Sequence, residues 1–292
     1  MGMEEQRSNI QWFPGHMAKT RRKMAESLKL VDGVVEIIDA RIPESSRNPD
    51  LTQIVGDKPR LILLNKSDVA DERQNKLWVH SYREQGLTAL PVDCRSGRGL
   101  KAFVPAVHEL LREQTARWAA KGMVGRGLRL MIAGIPNVGK SSFINRMSGG
   151  SKAKVADRPG VTRGNQWFTI GKGLEMLDTP GVLWPKFDDP RVGERLAFTG
   201  AVKDEILDIE TLAARLLETL AASYGDCLTT RYKVEEPQEK TGLVLLETIG
   251  RKRGMLISGG EIDTQRAAVM VLDEFRGGVL GRITLEACSE ES

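Results

Sequence analysis

Residues 134–141 read Gly-Ile-Pro-Asn-Val-Gly-Lys-Ser, the complete pattern G-x-x-x-x-G-K-[ST]. An apolar run, Leu128–Ala133, precedes it, and Ser142–Met147, which reads as a helix, follows it. This sequence constrains the fold more than any other, because such a loop works only between the end of a buried strand and the start of a helix. The glycines let the loop turn so that the successive N–H groups of Asn137, Val138, Gly139, Lys140, Ser141 and Ser142 converge on phosphate oxygens. Lys140 would reach the β- and γ-phosphates and the Ser141 hydroxyl would ligate Mg²⁺. The alternative, a glycine-rich turn that binds nothing, does not explain why strand, loop and helix all stand in their places.

Short apolar runs at Val34–Ile38, Leu61–Leu64, Leu87–Val92, Leu128–Ala133, Trp167–Ile170 and Leu174–Leu177 predict strands. Helical segments are expected at Leu51–Gly56, Glu72–Gln85 and Leu100–Ala120, after Gly139, and at His16–Leu30 behind the Pro14-Gly15 break. Alternation of this kind predicts an α/β, doubly wound, mostly parallel sheet. The last two runs, divided only by Gly171-Lys172-Gly173, predict a hairpin that makes the sheet mixed at one edge. Beyond Trp184-Pro185 strands become scarce and Val192–Val202, Leu212–Tyr224 and Thr264–Phe275 show helical spacing. Two domains are therefore expected, 1–187 and a smaller, mainly helical 188–292.

Phosphate chemistry needs a second metal anchor and a sensor. Asp178-Thr179-Pro180-Gly181 offers both: Asp178 would hold Mg²⁺ and the Gly181 N–H would contact the γ-phosphate. Thr162, in Pro159-Gly160-Val161-Thr162, is the candidate switch threonine completing the Mg²⁺ shell. Asn65-Lys66-Ser67-Asp68 follows a strand and matches N-K-x-D. The Asp68 carboxylate can accept from guanine N1–H and the N2 amino group, a donor pair that adenine lacks. Lys66 can lay its stem over the base, and Asn65 can tie this loop to the phosphate loop. Asp93-Cys94-Arg95 stands where an S-A-K element would place a backbone N–H, here that of Cys94, against guanine O6, although Asp93 and Cys94 depart from S-A. Alone, N-K-x-D is often a turn before a capped helix; behind a complete phosphate loop it points to GTP/GDP.

In Ras-like GTPases the phosphate motifs come first; here the base motifs do. Each motif rests at the end of its own strand, so the sheet can assemble wherever the chain is cut. Thr115–Gly127 would then join the old ends, and the phosphate-sensing loop runs directly into the helical region. This order, together with Gln11-Trp12-Phe13-Pro14-Gly15-His16-Met17, Asp39-Ala40-Arg41-Ile42-Pro43, Leu183-Trp184-Pro185-Lys186 and Gly250-Arg251-Lys252-Arg253-Gly254, resembles the circularly permuted GTPases of the YlqF/RbgA family (ribosome biogenesis GTPase A) over nearly the whole length. The resemblance implies a protein that binds a late large-ribosomal-subunit precursor and its rRNA. It implies particle-stimulated GTP hydrolysis and a C-terminal domain similar to ANTAR-type RNA-binding domains.

The position where Ras-like proteins keep a water-orienting Gln is Val182, which cannot hydrogen-bond water, so slow intrinsic hydrolysis is expected. The resemblance points to His16 as the group acting on the water; a helix-capping or packing His16 is the alternative. Asn137 resembles the asparagine with which some GTPases hold K⁺ beside the phosphates, against a purely loop-shaping Asn. Lys19-Thr20-Arg21-Arg22-Lys23, beside Trp12 and Phe13, and Arg251-Lys252-Arg253 are candidate RNA contacts, or else solvated faces. Trp78, Trp118, Trp167 and Trp184 are expected to pack.

Charge supports an anionic partner without deciding it. Residues 1–189 carry 30 Lys and Arg against 21 Asp and Glu, net +9; residues 190–292 carry 13 against 18, net −5. No run approaches the ~18 apolar residues of a membrane span, and the N-terminus has no secretion-signal core. Three cysteines without C-x-x-C spacing suggest neither disulfides nor zinc. A cytoplasmic monomer without membrane contact is expected. A nucleotide-gated RNA-binding scaffold with little turnover, or a GTPase of tRNA modification, are the alternatives.

Overall fold

Six runs rich in Val, Ile and Leu become the strands of one sheet in the computed structural model, which describes residues 15–123, 125–149, 166–170, 173–181, 183, 189–202, 204 and 208–288; for 15–20 it describes the backbone alone. The strands are β1 (Gly33–Asp39), β2 (Arg60–Asn65), β3 (Thr88–Pro91), β4 (Leu128–Ala133), β5 (Gln166–Ile170) and β6 (Leu174–Asp178), in the order β3-β2-β1-β4-β6-β5. All neighbours pair in parallel except β5, which runs antiparallel to β6 at the edge, as the glycine-separated hairpin predicts.

Alternation along the strands feeds two faces. Val35 and Ile37 of β1 join Leu61, Leu63, Leu130, Ile132 and Met176 in a core under α4 (Phe103–Leu110) and α6 (Lys140–Met147), where Phe103 and Phe143 meet edge-on at 5.0 Å. Val34 and Ile38 face the other way. They pack beneath α1 (Gly15–Leu28), α2 (Pro49–Val55) and α3 (Glu72–Glu84), with Met24, Leu51 and Tyr82. Helices on both faces of a mostly parallel sheet are the doubly wound arrangement expected.

The segment expected as one helix over 100–120 is broken. A 3-10 turn at Leu100–Ala102 leads into α4, the chain turns at Leu111, and α5 (Arg112–Ala120) follows. Leu111 is buried but α5 buries no residue, so the apolar anchor that kept α4 on the sheet ends at the break.

The C-terminal region is helical: α7 (Pro190–Phe198), α8 (Ile209–Tyr232), α9 (Gly242–Lys252) and α10 (Thr264–Arg276). α8 is longer than its expected 212–224 and kinks at Tyr224 (φ −138°), whose hydroxyl donates to the Thr284 carbonyl at 2.9 Å. α9 was not among the expected helices. It docks against α8 because Gly242 has no side chain: a Cβ there would stand 2.1 Å from the Ala214 carbonyl oxygen. Leu196, Leu216, Leu245, Val271 and Phe275 share one continuous core with the α4/α6 face of the sheet.

The last described stretch returns across the sheet domain. Ile283 N–H donates to the Val69 carbonyl (3.0 Å) and Leu285 N–H to the Arg41 carbonyl (2.7 Å). Glu286, 6 % exposed, accepts from Glu44 N–H (2.7 Å), Ser45 N–H (3.1 Å) and Arg195 Nη1 (3.0 Å). No helix among the described residues is long and apolar enough to cross a membrane.

Candidate nucleotide-binding site

Because β1, β2, β3, β4 and β6 run in parallel, the loops that follow them emerge along one edge of the sheet. Successive strands step outward from β1 to β3, and the chain then resumes on the opposite side of β1 with β4. A crevice at such a reversal, outside the carboxyl ends of the strands, is where open α/β sheets bind ligands. Asp39 closes β1 at this crevice and the phosphate loop leaves β4 beside it.

The loop from Gly134 to Gly139 has the backbone that its glycines allow. Gly134 (φ +151°) lies against the Ile37 carbonyl, where a Cβ would approach to 2.4 Å, and Gly139 (φ +103°) lies 2.2 Å, by the same measure, from Asn65 Nδ2. Val138 is buried, whereas Ser141 and Ser142 are exposed in the first turn of α6. Lys140 Nζ donates to the carbonyls of Gly134 (2.9 Å) and Ile135 (2.7 Å), across the mouth of its own loop. Burial lowers its ammonium to about 8, and the nearby Asp178 works in the opposite direction. Gly181 stands over the same loop: a Cβ there would meet Lys140 Nζ at 2.6 Å and Pro136 N at 2.9 Å. The sensor loop and the phosphate loop are therefore in contact.

At the end of β6, Asp178 sits opposite Ile132 in register, and Thr179 Oγ1 donates to the Ile132 carbonyl (2.6 Å). Asp178 Oδ1 is buried without a hydrogen-bond partner among the described residues. Burial raises the Asp178 carboxyl, opposed by the Lys140 charge. A buried carboxylate oxygen lacking a donor, with a serine hydroxyl at the adjoining helix N-terminus, is a donor set of the hard-oxygen kind that Mg²⁺ takes. The residues present fit that ion.

The base motif is joined to the phosphate loop by Asn65. Its Nδ2 donates to the Val138 carbonyl (2.6 Å), and its Oδ1 accepts from Cys94 N–H (2.9 Å). The first bond is the tie that the sequence predicts. The second differs from expectation, since the Cys94 N–H serves Asn65 rather than a base carbonyl. The Arg95 N–H next to it donates to Asp93 Oδ1 (2.8 Å). Ser67 is fixed from α3, where Asn75 Nδ2 donates to its carbonyl (3.1 Å), and Asp68 is half-buried at the loop. Burial pushes the Cys94 thiol up to about 12. Arg146, from the last turn of α6, donates to the Arg95 carbonyl and closes the ring of loops.

Two further residues belong to this site. Asn137 (φ +59°) donates from Nδ2 to the carbonyl of Gly200 (2.6 Å), just past α7, so the phosphate loop touches the C-terminal region. Asp39 was not a site candidate, although its position at the end of an apolar strand was the available signal. It is 2 % exposed and accepts from Lys66 Nζ (2.9 Å), which anchors the side chain of the motif lysine; the Lys66 backbone is left-handed (φ +61°). Thr162 and the side chain of His16 lie outside the described residues, as do Val182, Trp184 and the segment 11–14; the His16 backbone is in the first turn of α1. Trp78 and Trp167 pack as expected, Trp78 donating to the Glu286 carbonyl (3.0 Å), and Trp118 stacks under Arg126 at 4.1 Å.

Known proteins agree with this geometry. A family model described as 50S ribosome-binding GTPase matches residues 129–222. Ribosome biogenesis GTPase A of Priestia megaterium is 49 % identical over 282 residues, covering 96 % of this chain and 98 % of that one. The GDP-bound structure of TM YlqF is 29 % identical with a TM-score of 0.68, over 91 % of this chain and 99 % of that one. GNP-bound YlqF from T. maritima is 28 % identical with a TM-score of 0.67, over 93 % and 99 %. With base and phosphate motifs closed around one crevice in permuted order, the chain belongs to the ribosome biogenesis GTPase A family, and is a guanine-nucleotide-binding GTP hydrolase of ribosome biogenesis.

Proposed function

We propose that the chain binds a late large-ribosomal-subunit precursor in its GTP form, promotes maturation of that particle, and leaves once the particle has stimulated hydrolysis to GDP and phosphate. The observation that carries this reading is the bond from Asn137 to Gly200, which sets the phosphate loop directly against the helical region. A γ-phosphate that rearranges the loops at Gly181 and Asn137 can thereby move the region that contacts the partner.

The chain's residues divide the work. Asp68 reads the guanine edge, Lys66 covers the ring and Asn65 holds the base loop to the phosphate loop; Asp93 shapes the third loop. The N–H groups of Asn137, Val138, Gly139, Lys140, Ser141 and Ser142 cradle phosphates, and Lys140 swings from the carbonyls of Gly134 and Ile135 onto their charge. Ser141, Asp178 and Thr162 would hold Mg²⁺, which when bound neutralises charge on the phosphoryl oxygens. Val182 leaves the water without a hydrogen-bond partner at the usual position, and His16 orients it in the particle-bound state. A water-positioning group of this kind contributes typically ~10²–10⁴ in rate. Asn137 would hold K⁺ beside the phosphates; equal hydrolysis rates in KCl and NaCl would remove that role.

The two parts act as units, 1–187 reading the nucleotide and 188–292 the rRNA, in a cytoplasmic monomer. Arg251, Lys252 and Arg253 are exposed at the end of α9, next to the exposed Leu256 and Ile257, and supply the local positive charge that an acidic region needs to meet RNA. Co-sedimentation with large-subunit precursors tests the reading. Retention with a non-hydrolysable GTP analogue and release with GDP are expected, and binding indifferent to nucleotide would contradict it. Phosphate release should rise on adding the particle, and His16→Ala should lower only that stimulated rate.

A further inference from the structure

Of the run Asp39-Ala40-Arg41-Ile42-Pro43 only Asp39 touches the site described above, and it is the most heavily engaged carboxylate at the crevice. Asp39 accepts from Lys66 Nζ at 2.9 Å on one side, and from Arg41 Nε (2.9 Å) and Nη2 (2.7 Å) on the other. Burial alone would raise this carboxyl, but Arg41 and Lys66 together hold it well below the ordinary range, so both cations stay paired. Arg41 is 1 % exposed. Its third guanidinium nitrogen donates to the Arg276 carbonyl at the end of α10 (3.3 Å), and its plane lies 5.3 Å from the Phe275 ring. The Arg41 carbonyl takes the Leu285 N–H (2.7 Å) and the Ala40 carbonyl takes Thr284 Oγ1 (3.3 Å). The carboxylate that holds the base lysine thus also holds Arg41, whose side chain seats the end of α10 while its own carbonyl and that of Ala40 take the returning C-terminal stretch.

We infer that Asp39 and Arg41 are positioning residues that couple the guanine base to the C-terminal region: Asp39 fixes Lys66 over the base, and Arg41, held on the same carboxylate, docks residues 276–285. A base lying against the Lys66 stem restricts the ammonium to its bond with Asp39, which in turn fixes Arg41 and its contacts. Linkage then requires the converse, that docking of 276–285 tightens guanine-nucleotide binding by the same factor. The inference rests on Lys66 being the base-covering lysine, so the test includes a separate report on nucleotide binding.

Hydrogen exchange of the full chain, with and without saturating GDP, provides the measurement. In the parent protein GDP should slow exchange both at residues 134–141 and, several-fold, at Ile283 and Leu285. Lys66→Met, which leaves Arg41 paired with Asp39, should weaken GDP binding; with GDP raised until this variant too is saturated, exchange should slow at 134–141 but not at Ile283 and Leu285. Asp39→Asn should weaken GDP binding on the order of ten- to a hundredfold, as expected for a lost charged hydrogen bond. In a Lys66→Met background the same change should add little. A Lys66→Met protein that retains the effect at Ile283 and Leu285 would overturn the coupling, as would parent protein protected at 134–141 alone. Absence of protection at 134–141 in the parent protein would instead overturn the nucleotide assignment on which the coupling stands.

Discussion

Lys140 is held by two carbonyls of its own loop in a buried position, and its ammonium is lowered to about 8. Phosphate oxygens stabilise the charged form, so nucleotide binding raises this group back toward its ordinary value. The sign follows: at pH 8 a part of the population is neutral and must take up a proton on binding, whereas at pH 6 it is already charged. Calorimetry of GDP binding in buffers of differing ionisation enthalpy should show net proton uptake near pH 8 that declines as the pH is lowered toward 7. Asn65 is the other residue on which the site depends. Asn65→Ala leaves the Val138 carbonyl and the Cys94 N–H without their partner, which should cost about 1–3 kcal/mol of stability and weaken GDP binding by at least about tenfold, read by denaturation and fluorescent-nucleotide titration. Cys94, its thiol pushed up to about 12, should resist alkylation in the native protein and react only on unfolding. At this scale the sequence was most informative where the residue type is itself the chemistry: a lysine after a glycine, or an asparagine and an aspartate three apart. It was silent on Asp39 meeting Lys66, because that pairing arises only when β1 and β2 align Asp39 with Asn65.

Strands were readable as elements because buried parallel strands are continuous apolar runs, and all six fall within a residue or two of the expected spans. Helix ends were harder. Leu111 gave no break signal in sequence, and the division of α4 from α5 follows from α5 having nothing to bury. α9 carried its own signal in Leu245, Leu246 and Ile249, at helical spacing, but what fixes its start is Gly242 against α8, a tertiary contact. The C-terminal return has no secondary-structure signature at all; its hold is a carboxylate accepting from two backbone N–H groups and an arginine. Glu286→Ala should therefore destabilise the protein by about 1–3 kcal/mol, the usual cost of stranding buried donors. Urea unfolding would detect it, and an unchanged midpoint would assign no anchoring role to this residue.

For the whole molecule, the order of motifs is the informative quantity. The base motif precedes the phosphate loop by about seventy residues of chain, yet Asn65 and Val138 are hydrogen-bonded because β2 and β4, which carry the two loops, flank β1 in the sheet. Cutting the chain after the Gly181 loop also explains why the helical region begins where nucleotide sensing ends, and why Asn137 reaches Gly200. The most direct test of this closure is calorimetric titration of the purified chain with GTP, GDP and ATP, each with Mg²⁺. The account predicts that GTP and GDP bind at one site and that ATP binds more weakly by at least about a thousandfold, since Asp68 finds no donor pair on adenine. Equal uptake of ATP and GTP, or uptake of neither, would contradict it.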